Sequence, residues 1–152
     1  PFTFDTTPSE KLVSALRREK ILSVKNSCNT KTCGGCYILL DDKVIASCHI
    51  PVGLVKNSKI ITLEHFSKTE FYSDIIKGFD KAGISLCGYC NAGKVFLAYE
   101  IIKNISQPTR EIISNYINHL NDCCVEKDTL VNGILYAYTI HHEKDKTRRN
   151  DK

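Results

Sequence analysis

The residues best suited to chemistry are cysteines, of which the chain has eight among 152 residues, in two separated groups. The first group consists of Cys28, Cys33, Cys36 and Cys48, and its first three members follow the C-x4-C-x2-C spacing of plant-type [2Fe-2S] proteins. Such a cluster needs four thiolates that converge from several sides. Gly34 and Gly35 permit a loop to wrap closely around it. This group predicts a [2Fe-2S] cluster.

The second group comprises Cys87, Cys90, Cys123 and Cys124. The first two form a C-x2-C pair just before a predicted helix, and the last two follow another predicted helix. Two helix ends could therefore hold a second metal centre. A C-x2-C pair also occurs in zinc and redox sites, so structural zinc, in a module for partner recognition, stays an alternative for this chain.

The first 66 residues predict a small mixed sheet crossed by one helix. Phe2-Thr3-Phe4 alternates like the end of a strand, and Thr7-Pro8-Ser9-Glu10 is a capping box that predicts a helix start. Apolar, β-branched runs at 37–40, 44–48 and 60–63 predict three further strands.

The second half predicts four helices in a compact bundle over residues 67–142. Ser67-Lys68-Thr69-Glu70 is a second capping box, and apolar residues then recur at helical spacing. From residue 143 to residue 152 nearly every side chain is charged or polar. We therefore expect a disordered charged tail there.

Composition excludes several classes of function. Hydrophobic residues make up 42% of the chain, and no apolar run approaches the ~20 residues of a membrane-spanning helix. Of the 21 basic residues behind the net charge of +4, five stand in the last nine positions, which is typical of a solvated tail rather than a nucleic-acid arm. No phosphate loop, Ser-His-Asp set or paired carboxylates are present. We expect a cytoplasmic protein without a visible secretory leader.

The arrangement of cysteines resembles the iron-sulfur subunits or domains of the molybdenum hydroxylases, which include xanthine dehydrogenase, aldehyde oxidoreductase and carbon monoxide dehydrogenase. The resemblance covers nearly the whole chain without large insertions. It is carried by residues 28–36, residues 42–48 followed by Pro51-Val52, residues 83–90, and Pro108-Thr109 leading to Cys124.

This resemblance implies an α+β protein in which a plant-ferredoxin-like β-grasp domain at 1–66 precedes a four-helix [2Fe-2S] domain at 67–142. It also implies a relay of electrons from a molybdopterin-binding large subunit, through two [2Fe-2S] clusters, to an FAD-binding medium subunit or another acceptor. Molybdopterin and FAD would sit only on those partner subunits. The chain would be the electron-transfer subunit of an oxidoreductase and perform no substrate chemistry alone.

The departures from the family pattern gather around the second cysteine group. The family's C-R-C falls on Asp122, Cys123 and Cys124, so one expected thiolate is a carboxylate here. Val125-Glu126-Lys127 and Asn91-Ala92-Gly93 replace the usual Thr-Gly-Tyr and Thr-Pro-Gly. Leu86 stands where the family often has a glutamine that contacts the partner's pterin, and leucine offers no hydrogen bond.

Three interpretations of the second group remain open. Cys123 could join Cys87, Cys90 and Cys124 as the fourth ligand, since neighbouring α-carbons are only ~3.8 Å apart. Asp122 could ligate iron through oxygen, although soft thiolates suit iron-sulfur centres better. A degenerate relative could instead keep only the first cluster and use its helical half as a scaffold.

Overall fold

The computed structural model describes residues 5–121 and 123–150. The strand predicted at Phe2-Thr3-Phe4 lies outside the described residues. A three-stranded antiparallel sheet follows in strand order β2-β1-β3, with β1 at Tyr37–Leu40, β2 at Lys43–Ala46 and β3 at Ile60–Ile61. Asp41 and Asp42 form the turn between β1 and β2, and both have positive φ angles. These strands match the predicted runs in part. Residues 47–49 form a 3-10 turn after β2, and the run at 60–63 ends as a strand at Ile61 because Leu63 begins a helix.

The first helix, α1, spans Leu12–Arg18 and begins later than the capping box predicts. Its N-cap is Lys11, which makes no side-chain cap bond. Glu10 hydrogen-bonds Thr6 and pairs with Arg18 rather than capping the helix. The Thr7 to Glu10 segment instead forms a turn, and the prediction of a helix start there is wrong.

Five more helices occupy the rest of the described chain: α2 at Leu63–Phe66, α3 at Glu70–Lys81, α4 at Asn91–Asn104, α5 at Arg110–Ile117 and α6 at Lys127–Asn150. The predicted capping box at Ser67 is also wrong in detail. The side chain of Thr69 caps α3 by accepting a hydrogen bond from the backbone N–H of Tyr72. Ser67 is instead the residue that ends α2.

Helix α4 is the centre of the molecule. Residues 92–99 are all buried, because the sheet contacts this helix on one side and helices α3, α5 and α6 contact it elsewhere. Phe96 and Tyr99 of α4 contact the ring of Phe66 at centroid distances of 5.2 and 5.0 Å. A helix that is buried all round needs apolar residues on every face, and Lys94 is a charged exception in this stretch. None of the described helices is long and apolar enough to cross a membrane.

Helices α3 and α6 pack tightly and run in opposite directions. Gly78 lies against Ala137, Asp74 against His141 and Glu70 against Arg148, so the sequence numbers rise on one helix as they fall on the other. A β-carbon at Gly78 would lie 2.3 Å from the backbone nitrogen of Ala137. Only glycine allows the two backbones to approach this closely.

The disordered tail predicted from residue 143 is not found among the described residues, because α6 continues as a helix to Asn150. Lys144 pairs with the buried carboxylate of Asp74, and Arg148 forms two hydrogen bonds to Glu70 at 3.0 and 2.7 Å. Two of the charges that suggested a solvated tail therefore bind acidic groups on α3. Asp151 and Lys152 lie outside the described residues.

We predict that Gly78→Ala destabilises the fold, although alanine is the better helix former by about 1 kcal/mol. The added methyl group must separate α3 from α6, which costs about 2 to 3 kcal/mol of overpacking. Urea denaturation followed by circular dichroism measures the loss. Ser73→Ala, on the exposed side of α3, is the matched control, and equal stability of the two variants would contradict the close packing.

A second prediction concerns Asp74, whose side chain is fully buried and accepts hydrogen bonds from His141 and Lys144. Burial opposes the charge of this carboxylate, but the two hydrogen bonds outweigh it and lower the pKa of Asp74. We expect Asp74→Asn to reduce the free energy of unfolding by about 2 kcal/mol at pH 7, as for other hydrogen bonds to charged groups.

The pH dependence follows from the lowered pKa. The stabilisation by Asp74 is fully present above the unfolded pKa of about 3.9 and is lost as the pH falls through the lower folded pKa. The gap in stability between the parent chain and Asp74→Asn should therefore shrink with acidification below pH 4. Asp80→Asn, an exposed change on the same helix, should show neither effect, and a gap that is constant with pH would refute the role of the charge.

Candidate metal centres

The first cysteine group is assembled by the loop after α1 and by the β1–β2 hairpin. Cys28 and Cys33 lie in the loop and are partly exposed, whereas Cys36 and Cys48 are buried. The pairing of Tyr37 with Ala46 places Cys36, just before β1, beside the 3-10 turn that carries Cys48. Ser47 fixes this turn, because its hydroxyl donates to the carbonyl oxygen of Cys36 at 2.7 Å.

The pKa values of two thiols in this group are shifted in opposite directions. Burial opposes ionisation of Cys28, but hydrogen bonds from Thr30 and Cys33 lower the pKa of its thiol to about 5. Burial raises the pKa of Cys36 to about 12. The surroundings therefore favour the thiolate form of Cys28 and disfavour that of Cys36.

Uncharged hydrogen-bonding groups lie beside two sulfurs of the first group, those of Cys28 and Cys33. The backbone N–H of Thr30 points at the Cys28 sulfur, and that of Gly35 points at the Cys33 sulfur, both at 3.4 Å. The hydroxyl of Ser27 lies 3.3 Å from the Cys33 sulfur. Backbone donors that point at sulfur are typical of iron-sulfur loops, where they tune the reduction potential.

The second group lies where α4 begins and where the α5–α6 loop ends. The sulfurs of Cys87, Cys90, Cys123 and Cys124 all lie within 4.8 Å of one another, and only Cys90 is buried. Cys90 is the N-cap residue of α4. Because the positive end of a helix dipole favours anions, this position suits a thiolate. Asp122, the alternative ligand, lies outside the described residues.

The C-x2-C loop has its own fixed geometry. Gly88 has a φ of +87°, which glycine adopts without strain, and its N–H donates to the side-chain oxygen of Asn91 at 3.0 Å. A hydrogen bond from the backbone N–H of Tyr89, together with the thiol of Cys124, lowers the pKa of Cys87 to about 7. Burial raises the pKa of Cys90 to about 11.

A lysine completes the second site. The ammonium group of Lys94, which is 5% exposed, donates to the Cys90 sulfur at 2.6 Å, and Cys90 lies 3.0 Å from the sulfur of Cys123. Burial opposes the charge of Lys94, but the hydrogen bond and the neighbouring thiolates outweigh it and raise its pKa. The sequence prediction missed this residue, although its place four positions after Cys90 on a helix puts both on one face.

The loops that carry the two groups touch. A β-carbon at Gly93 would lie 2.7 Å from the α-carbon of Gly34, so the backbones meet with no side chain between them. Asn121 adds two hydrogen bonds to Thr32, from its backbone N–H at 2.8 Å and from its side-chain amide at 3.1 Å. Thr32 precedes Cys33 and Asn121 stands two residues before Cys123. The chain segments next to the two sites are therefore in direct contact.

The donor sets fit iron-sulfur chemistry. The second site offers four thiols, and no carboxylate or imidazole joins this set among the residues described. His119, near the second group in sequence, instead forms a 2.8 Å hydrogen bond with the hydroxyl of Tyr37. The four cysteines of the second group lie together, and the ligand set of the first group stays a prediction.

Comparisons with known proteins agree with this chemistry. The family model described as "[2Fe-2S] binding domain" matches residues 62–135. The nicotinate dehydrogenase small FeS subunit of Eubacterium barkeri is 31% identical over 110 residues, which are 72% of this chain and 70% of that subunit. The xanthine dehydrogenase iron-sulfur-binding subunit of Escherichia coli O157:H7 is 33% identical over 95 residues, 62% of this chain and 60% of that subunit.

Solved structures show the same fold. The aldehyde oxidoreductase from Desulfovibrio gigas superposes with a TM-score of 0.80 at 25% identity, over 94% of this chain and 16% of that larger chain. The quinoline 2-oxidoreductase from Pseudomonas putida 86 gives a TM-score of 0.78 at 24% identity, over 90% of this chain and 87% of that one. With the sequence matches, these likenesses support the predicted β-grasp and helical halves. The chain belongs to the family of small iron-sulfur subunits of xanthine dehydrogenase-type oxidoreductases.

Proposed function

We propose that this chain passes electrons through two adjacent [2Fe-2S] centres, from a molybdopterin-binding large subunit to an FAD-binding medium subunit or another acceptor. The observation that carries the proposal is the close approach, at Gly34 and Gly93, of the two segments that carry the cysteine groups. Bound clusters would supply one-electron redox chemistry. The chain's own residues hold the sulfurs, exclude water from Cys36, Cys48 and Cys90, and keep the two sites adjacent.

For the first centre we propose Cys28, Cys33, Cys36 and Cys48 as ligands. The C-x4-C-x2-C spacing of the first three supports this set, because a [2Fe-2S] cluster has four thiolate ligands shared between two irons. The backbone donors of Thr30 and Gly35 would then stabilise the charge on the more exposed pair.

For the second centre we propose Cys87, Cys90, Cys123 and Cys124. Cys123 is the preferred fourth ligand because its sulfur already lies 3.0 Å from that of Cys90 and within 4.8 Å of the others. A thiolate also suits the soft iron-sulfur centre better than the oxygen of Asp122. We further propose that the domain boundary falls near residue 66, between the sheet and the helical half.

A cytoplasmic location accords with all eight cysteines being free thiols in the structure, because the cytosol keeps thiols reduced. Four thiols also suit structural zinc, which was the alternative for this chain. The relatives are iron-sulfur subunits by name, and that favours iron.

Metal analysis tests the two sites together. The anaerobically purified chain should contain about four irons and about four labile sulfides, with two distinguishable electron paramagnetic resonance (EPR) signals after reduction. Cys48→Ser should remove the signal of the first centre and Cys90→Ser that of the second, so that each variant is the control for the other. A colourless protein containing zinc would overturn the relay, and loss of the same signal in both variants would refute the division into two sites.

The fourth ligand of the second centre can be identified by a pair of neighbouring substitutions. Cys123→Ser should remove about half of the iron and the second EPR signal, because it takes one thiolate from the set. Asp122→Asn should leave iron content and both signals unchanged. The reverse pattern would assign the ligand to Asp122, and unchanged iron in Cys90→Ser as well as in Cys123→Ser would indicate an empty second site.

A further inference from the structure

Lys94 occupies a position that disfavours a cation for two reasons. It lies in the first turn of α4, at the positive end of the helix dipole, which favours anions instead. Its side chain is also 5% exposed, and an ammonium group loses its hydration when it is buried. Lysine is almost never buried without a partner. Something in the second site must therefore compensate for this charge.

The compensation comes from sulfur. The ammonium group donates to the Cys90 sulfur at 2.6 Å, and the sulfurs of Cys123 and Cys124 lie within 4.8 Å of that sulfur. Among the ion pairs of the described residues, none joins a carboxylate to Lys94. The lysine is thus directed at the cysteine group and at no other anion described.

Among the described residues, no lysine or arginine forms a hydrogen bond with a sulfur of the first site. Two of its sulfurs receive hydrogen bonds from the backbone of Thr30 and Gly35, and the uncharged hydroxyl of Ser27 lies 3.3 Å from the Cys33 sulfur. Lys25, the lysine that packs against Gly35, donates instead to the carbonyl oxygen of Leu22. The two sites therefore differ in net charge as well as in sequence.

We propose that Lys94 is a potential-setting residue, whose fixed positive charge at Cys90 favours the reduced form of the second centre. The inference rests on the proposed second [2Fe-2S] centre. One-electron reduction adds one negative charge to a centre that four thiolates already make anionic. A buried cation in contact with a ligand sulfur stabilises that added charge strongly, because the surroundings screen it poorly. Lys94 thereby raises the reduction potential of the second centre alone.

The test is a potentiometric titration of the full chain, with both centres followed by EPR and the electron supplied by dithionite through mediators. Lys94→Met and Lys94→Gln remove the charge, whereas Lys94→Arg keeps it. The equilibrium constant for one-electron reduction of the second centre should fall about tenfold in the first two variants, which is about 59 mV. The arginine variant should stay within about threefold, and the first centre should not change. Lys103→Met, an exposed change on the same helix, is the control.

Each other outcome is decisive. Two intact centres with unchanged potentials in Lys94→Met and Lys94→Gln would overturn the inference and leave the relay standing. Loss of the second centre from those two variants but not from Lys94→Arg would support the need for the charge. Loss from all three would show that lysine is required for packing, and would overturn the inference. A parent chain with iron for one centre only would overturn the second ligand set itself.

Discussion

The close approach of Gly34 to Gly93 is the constraint on which the remaining structure depends. Gly34 stands between two ligand candidates of the first site, and Gly93 lies three residues after Cys90. A β-carbon at either position would lie within 3.0 Å of the opposite backbone. This contact therefore fixes how near the two thiol groups lie. The Thr32 to Asn121 hydrogen bonds join the loop of the first site to the α5–α6 loop, which carries Cys123 and Cys124.

Rigid elements support this contact. The first site uses a tight β-hairpin, whose register places Cys36 beside Cys48. The second site uses the N-terminus of α4, the most enclosed helix of the described chain. Sites that are built on such elements are held more precisely than sites on loops alone. The antiparallel pair of α3 and α6 then holds α4 in place through the Gly78 to Ala137 contact and the charge pairs at Asp74 and Glu70.

Sequence reasoning succeeded where local spacing determines structure. The membership of the first site rests on the C-x4-C-x2-C spacing and stays a prediction. The hairpin turn at Asp41-Asp42 depends on neighbouring residues, so it could be predicted. Three features could not, because each depends on distant packing. The burial of Lys94 requires a sheet and three helices around α4. The helical structure of residues 143–150 requires acidic partners on α3. The short helix α2 shifts the N-cap of α3 from Ser67 to Thr69.

The departures from the family pattern favour a second site that has changed some residues and kept its function over one that has lost its function. Residues that lose their role are expected to lose their contacts, leaving thiols apart and a buried lysine unpaired. Asn91 instead accepts the N–H of Gly88 and fixes the C-x2-C loop, while Lys94 binds the Cys90 sulfur. Cys123 lies among the other three thiols. Because a buried cation without anionic partners costs free energy, Lys94 is compatible with this fold only while the thiolates remain beside it. Asn91, Lys94 and Cys123 therefore form one interdependent set.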